Sequence, residues 1–270
     1  MRPEQLRDLR FARGIASEAG GLLRAAAFRS HEADTKRDVT DLVTEYDRRS
    51  ERVIVDAIRS AYPDDRILAE EGGELGGSGR RRWLIDPLDG TTNFSHGLPF
   101  FCVSIGLEED GELALGIVQA PALGWSFFTV RGAGAWLGAH STERRLHVSA
   151  TSSLSTSLLA TGFPYDRATN PQNNFAEFIA LKKQVHGVRR VGAAALDLAM
   201  VAAGWLDGYW ERRLKPWDLA AGALLVREAG GRVTTTNGGA FTPDACEAVA
   251  TNGAIHEPLI AALSAVPPLV

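Results

Sequence analysis

The chain has 270 residues, 29 basic and 33 acidic side chains, and 45% hydrophobic residues. Those are globular proportions, and they exclude a disordered, collagen-like or low-complexity protein. The mild net charge of −4 argues against a broad electrostatic footprint for nucleic acid or an anionic membrane, so no membrane and no direct nucleic-acid binding are expected.

Leu6, Leu9, Ala12, Ala16, Ala19 and Leu23 recur at helical spacing, and this arginine- and glutamate-containing stretch reads as an amphipathic helix rather than a signal peptide. A second helix is expected from Thr44, with Tyr46, Val53, Ile54, Ala57, Ile58 and Ala61 on one side and Pro63 beyond its end. Residues 72–79, rich in glycine, read as a loop, and Trp83-Leu84-Ile85 as a buried strand. Phe101 to Leu107, an Asp110-Gly111 turn, Leu113 to Gln119 and Trp125 to Val130 predict an antiparallel sheet within 80–148. Asn170-Pro171 predicts a helix start, and Ala193 to Ala203 and Asp218 to Ala229 predict further helices, the last closed by Gly230-Gly231. The fold class is therefore α+β or layered, with a composition shift near residue 150 dividing lobes 1–148 and 149–270. Cys102 and Cys246 belong to no CxxC or Cys/His cluster, so neither a disulfide framework nor a structural zinc is expected, and a reducing, cytoplasmic compartment fits.

Chemistry concentrates where apolar stretches end in acids. Asp86 and Asp89 follow the Trp83 strand on a turn fixed by Pro87 and Gly90, and two carboxylates so close repel unless a cation lies between them. All-oxygen ligands select hard cations such as Mg²⁺. Asp89 reads equally as a helix N-cap. Glu70-Glu71 ends a second apolar stretch and could be plain surface, while Asp218 sits where a helix should begin and could be its cap. Thr44 and Asp47 form a capping-box pattern, and Arg189-Arg190 before Gly192-Ala193-Ala194 reads either as a ligand approach or as a solvated face. Together the acids suit a multi-metal phosphoryl-transfer site. There is no GxxxxGK[ST] loop, no GxGxxG after a strand, no HExxH and no GxSxG elbow.

Asp86-Pro87-Leu88-Asp89-Gly90-Thr91 with the preceding Glu70-Glu71, and Trp217-Asp218-Leu219-Ala220-Ala221-Gly222, resemble the signatures of the inositol monophosphatase family, whose members are Mg²⁺-dependent, lithium-sensitive phosphatases. The resemblance implies a layered αβαβα sandwich in two lobes with the site between them, and a homodimer. It implies one metal on Glu70, Asp86 and the Leu88 carbonyl, a second on Asp86, Asp89 and Asp218, and a third, weaker site near Glu70, hence two or three Mg²⁺ per site. It places phosphate on the amides of Gly90 and Thr91, a substrate hydroxyl on Glu211, the inositol ring at Gly192, Ala193 and Ala194, and Arg189 at a position implicated in substrate binding in bacterial relatives. Ala193 stands where relatives commonly carry threonine or serine, so any side-chain hydrogen bond there is lost.

On this reading a metal-activated water attacks phosphorus in line with the ester oxygen, with no covalent phospho-enzyme. Thr91, hydrogen-bonded toward Asp47, is the candidate for orienting and deprotonating the water, and Glu70 is the competing base. The expected substrate is a small phosphate ester, myo-inositol monophosphate first. Relatives on the same scaffold act on histidinol phosphate or fructose 1,6-bisphosphate, and some bacterial relatives bind the transcription machinery independently of catalysis.

Overall fold

A computed structural model describes residues 1–29, 31–35, 42–139 and 141–266. In its first half the chain runs through α1 (Pro3–Ala26), the two-stranded ribbon of β1 (Asp34–Thr35) and β2 (Leu42–Val43), and α2 (Glu45–Ala61). It continues through β3 (Arg66–Ala69), β4 (Gly73–Leu75), β5 (Arg81–Asp89), the short α3 (Thr91–Ser95), β6 (Cys102–Glu109), β7 (Glu112–Ala120), β8 (Trp125–Val130), β9 (Ala135–Ala139) and β10 (Thr142–Arg145). The second half runs through β11 (Leu158–Thr161), α4 (Phe175–Lys182), β12 (Gly187–Arg189), α5 (Ala194–Ala202), β13 (Gly208–Arg212), α6 (Pro216–Glu228), β14 (Arg232–Thr234), β15 (Glu247–Thr251) and α7 (His256–Ser264).

These elements stack as five layers, α, β, α, β, α. An eight-stranded sheet has the order β10-β9-β8-β7-β6-β5-β3-β4, antiparallel except where β3 runs parallel to β5. A five-stranded sheet has the order β12-β11-β13-β15-β14. The apolar stripe of α1, with Leu9, Ala12, Ala16, Ala19 and Leu23, and that of α2 cover one face of the large sheet. Helices α5 and α6 form the middle layer, and one continuous core joins them to both sheets through Leu84, Val118, Phe127, Leu198, Leu225, Tyr209 and Ala250. Leu181 of α4 and Leu259 and Leu263 of α7 close the far face of the small sheet. Non-directional apolar burial on both faces of each sheet is what makes this layering stable.

The middle layer sits unusually close to the large sheet. A side chain at Gly106 of β6 would bring its Cβ to 2.6 Å from the Ala220 methyl of α6. With no Cβ there, α6 lies directly on β6, and Ser104 Oγ fixes its first turn by donating to Trp217 O at 3.0 Å. The N-terminus of α6 is thereby held against the end of β5.

Four sequence expectations differ in detail. Within 72–79, read as a loop, Gly73–Leu75 pairs antiparallel with β3, Leu75 opposite Ile67; the pairing uses backbone groups alone, which glycine retains. Helix α4 begins at Phe175, not after Pro171. Asn174 is the reason: at φ 68° its buried side chain donates to Thr161 Oγ1 and Gly162 O, both at 2.7 Å, and accepts from Trp210 Nε1 at 2.7 Å. Helix α6 begins at Pro216, which puts Asp218 at its third residue rather than at the cap. Ala61 and Leu6, both expected on buried stripes, are exposed near helix ends.

Candidate active site

The site grows from an irregularity in β5. Asp86 pairs with Ser104 and Asp89 with Cys102, so three steps on β5 answer two on β6. One extra residue is therefore accommodated at Pro87-Leu88, a β-bulge at a point where proline has no N–H to lose from the ladder. In a regular strand residues three apart face opposite sides; the bulge turns Asp86 and Asp89 into one cavity. It is held from two directions. Ser50 of α2 donates to Pro87 O at 2.8 Å, and Leu88 N–H donates to Asp86 Oδ1 at 2.9 Å. The chain then turns at Gly90, φ 94°, into α3.

A cavity of about 170 Å³ opens at this corner. Glu70 from the end of β3, Asp86 and Asp89 from β5, and Asp218 from α6 line one side. Gly192, Ala193, Ala194 and Asp197 at the start of α5, with Glu211 of β13, line the other. Burial first, then repulsion from Glu70, Asp89 and Asp218, holds the Asp86 carboxyl well above its ordinary range. Burial also raises Asp89 to about 6, against the pull of backbone donors at Ala195 (2.7 Å) and Ala194 (3.2 Å) and the Cys102 thiol. Asp218, partly open at the cavity wall, is raised by its enclosure and by Asp89 and Glu70, and its Oδ2 accepts the Lys215 N–H at 2.7 Å.

Four acids around one hollow carry a charge excess that only protons or cations can relieve. Their donor set is entirely oxygen, which suits a hard divalent ion such as Mg²⁺. Among the described residues no three acidic, histidine or cysteine side chains are gathered into a closed ligand shell.

Behind the bulge, Thr91 Oγ1 lies 2.9 Å from Asp47 Oδ1 and 3.1 Å from Leu88 O. Asp47 Oδ2 accepts the backbone and hydroxyl donors of Thr44, at 2.7 and 2.6 Å, completing the capping box of α2. Asp47 is buried, and burial raises its pKa despite those donors. On the far wall Tyr209 OH donates to Glu211, whose carboxyl is pushed by burial up to about 7.

The structure thus brings Glu70, Asp86, Leu88, Asp89, Gly90, Thr91, Gly192, Ala193, Ala194, Glu211 and Asp218 to one cavity, with Asp47 directly behind Thr91. Arg189 is not among the lining residues: it is exposed at the end of β12, its Nη1 near Val188 O, and its neighbour Arg190 lines the cavity instead. Parallel pairing with β11 fixes that alternation. Sequence reasoning also missed Asp197 and Gly162. Asp197 carried a readable signal, an acid inside the apolar run from Ala193 to Val201. Gly162 carried none, since only the fold reveals that a Cβ there would collide with the Glu211 carboxylate.

The sequence pattern of the inositol monophosphatase family matches residues 5–267. An inositol-1-monophosphatase from Synechocystis is 48% identical over 228 residues, covering 84% of this chain and 78% of that protein. A Nus factor SuhB from Pseudomonas aeruginosa is 47% identical over 240 residues, 85% of this chain and 86% of the relative. The solved inositol monophosphatase from Anabaena superposes with a TM-score of 0.86 at 43% identity, covering 98% of each chain.

Proposed function

The chain belongs to the inositol monophosphatase family, a family of metal-dependent phosphatases, and on that premise we propose that it hydrolyses the phosphomonoester of a small polyol, myo-inositol monophosphate first, with two or three Mg²⁺ ions per site. The observation that carries the reading is the convergence of Glu70, Asp86, Asp89 and Asp218, from three separate elements, on one cavity that Glu211 closes from the other side.

Glu70, Asp86 and the Leu88 carbonyl would hold one ion, and Asp86, Asp89 and Asp218 another. Bound there, the ions supply charge neutralisation at the phosphate and a lowered pKa for water. The first N–H groups of α3, at and after Gly90, have no partner within the helix, so those of Gly90 and Thr91 are available to phosphate oxygens. Thr91 spends its hydroxyl hydrogen on Asp47 or Leu88 O, leaving lone pairs that orient an attacking water. The water's proton passes through Thr91 to Asp47, whose burial favours taking it up. As the new P–O bond forms in line, the ester P–O bond breaks, its electron pair goes to the leaving oxygen on the side of Glu211, and that oxygen takes a proton from solvent water to become the alcohol. Asp89 is fixed in this process by the Ala194 and Ala195 amides.

Phosphate release from myo-inositol 1-phosphate, histidinol phosphate and fructose 1,6-bisphosphate, with Mg²⁺ and with added Li⁺, tests the reading. Fastest Mg²⁺-dependent turnover of the inositol ester supports it, and preference for another member of the panel replaces the substrate while keeping the chemistry.

A second reading, favoured by the likeness to a Nus factor, adds binding to the transcription machinery beside catalysis. A pull-down with Asp86→Asn separates them, since binding independent of chemistry survives that change. We further read the chain as cytoplasmic, dividing into lobes 1–148 and 149–270, and as a homodimer, which the exposed Phe28 and Leu98 support; sedimentation measures the last. Among the described residues no helix is long and apolar enough to cross a membrane.

A further inference from the structure

Helix α5 carries one polar group that its surroundings do not explain. Asp197 lies in the first turn, its N–H donating to Ala193 O at 2.9 Å, and the residue is 2% exposed. Leu196 and Leu198 on either side are fully buried. Among the described residues, Asp197 Oδ1 is the single buried side-chain oxygen or nitrogen with no hydrogen-bond partner. The start of a helix tolerates an acid electrostatically, but that leaves the lone pairs of Oδ1 unused, and burying such a group unpaired is strongly unfavourable.

Asp197 lines the same cavity as Glu211 and Gly192–Ala194. Burial first, then repulsion from Glu211 and Asp89, holds the Asp197 carboxyl well above its ordinary range, against the pull of Arg190. Arg190 also favours the charged form of Glu211. Arg190 lines the same cavity and supplies positive charge toward both acids. Glu211 has a donor in Tyr209, and Asp197 has none, so the missing partner is a neutral hydroxyl rather than an ammonium group.

We infer that Asp197 is a specificity-determining residue that accepts a hydrogen bond from a second substrate hydroxyl, beside the one at Glu211, and so selects a phosphorylated polyol over an ester without hydroxyls. This deepens the phosphatase reading and rests on it.

The test compares kcat/KM for myo-inositol 1-phosphate and for phenyl phosphate, with Mg²⁺, in the wild type, Asp197→Ala and Asp197→Asn. In Asp197→Ala the polyol-to-phenyl ratio is expected to fall about tenfold through the polyol's KM, the size of one hydrogen bond. Asp197→Asn keeps an acceptor oxygen and recovers most of that ratio. Thermal unfolding without substrate supplies a second readout: replacing a buried acid whose Oδ1 lacks a donor leaves the Tm of Asp197→Asn equal to the wild type's or higher. An unchanged ratio in Asp197→Ala overturns the inference. So does an equal loss on both substrates together with a lowered Tm, which marks a structural residue. Wild-type turnover of phenyl phosphate without turnover of the polyol ester overturns it and leaves the phosphatase reading standing; turnover of neither removes both.

Discussion

Thr91 Oγ1 lies 2.9 Å from Asp47 Oδ1, and that bond joins the turn after β5 to the first turn of α2. Asp47 serves two elements at once, capping a helix through Oδ2 and holding a hydroxyl at the cavity through Oδ1. If Thr91 relays the proton, Thr91→Ala is expected to lower kcat about 100-fold or more, the usual scale of general-base assistance, with little change in KM. Thr91→Ser keeps the hydroxyl and most of the rate. Steady-state kinetics check both, and a wild-type kcat in Thr91→Ala removes the relay.

Asp89 meets two backbone N–H groups, one at each oxygen. In Asp89→Asn one of those donors faces an NH₂ group, an unsatisfied pairing that costs roughly 1–3 kcal/mol. The variant is expected to lose most activity and to need more Mg²⁺ for half of what remains. Wild-type turnover at limiting Mg²⁺ would contradict the metal role of Asp89.

Glu211 holds its proton up to about pH 7 in the folded chain, against an ordinary value of 4.5. Below 4.5 folded and unfolded chains are both protonated there; between 4.5 and about 7 the folded chain alone binds the proton. Stability therefore falls as pH rises through that window, by roughly 3 kcal/mol in all, from 1.36 kcal/mol per pKa unit. In metal-free protein Glu211→Gln removes this slope, so urea unfolding is expected to show the variant gaining on the wild type between pH 4 and pH 8. Parallel pH profiles would place the Glu211 carboxylate in water. The same variant should raise KM for the polyol ester, having lost the carboxyl that faces the substrate hydroxyl.

Gly162 leaves no room for a methyl group, because its Cβ would fall on the carboxylate of Glu211. Gly162→Ala is expected to displace Glu211, lowering stability by roughly 1–3 kcal/mol, as overpacking does, and raising KM as Glu211→Gln does. Double substitution checks the shared cause: Gly162→Ala should add little to the KM of Glu211→Gln.

Much of this was legible in one dimension. The acids at 70, 86, 89 and 218 stand at the ends of apolar stretches, and the capping pattern at Thr44 and Asp47 places α2 correctly. What joins Asp86 to Asp89 was not legible, because residues three apart in a strand should diverge and the bulge arises from pairing with β6. The same holds for Gly162 and Arg190, whose places depend on β11 and β13 lying side by side and on the alternation of β12. Helix α4 starts late because the Asn174 side chain is captured by Thr161, Gly162 and Trp210 from distant parts of the chain. Local propensity sees none of those partners.

On the proposed reading, the acids around Asp86 hold the divalent ions on which phosphate ester hydrolysis depends. The most direct measurement is phosphate release from myo-inositol 1-phosphate as Mg²⁺ is titrated into chelator-treated protein, for the wild type and Asp86→Asn. Wild-type activity is expected to appear only with added Mg²⁺, and Asp86→Asn to stay silent throughout the titration. Equal phosphate release with chelator present, or from Asp86→Asn at low Mg²⁺, would contradict it.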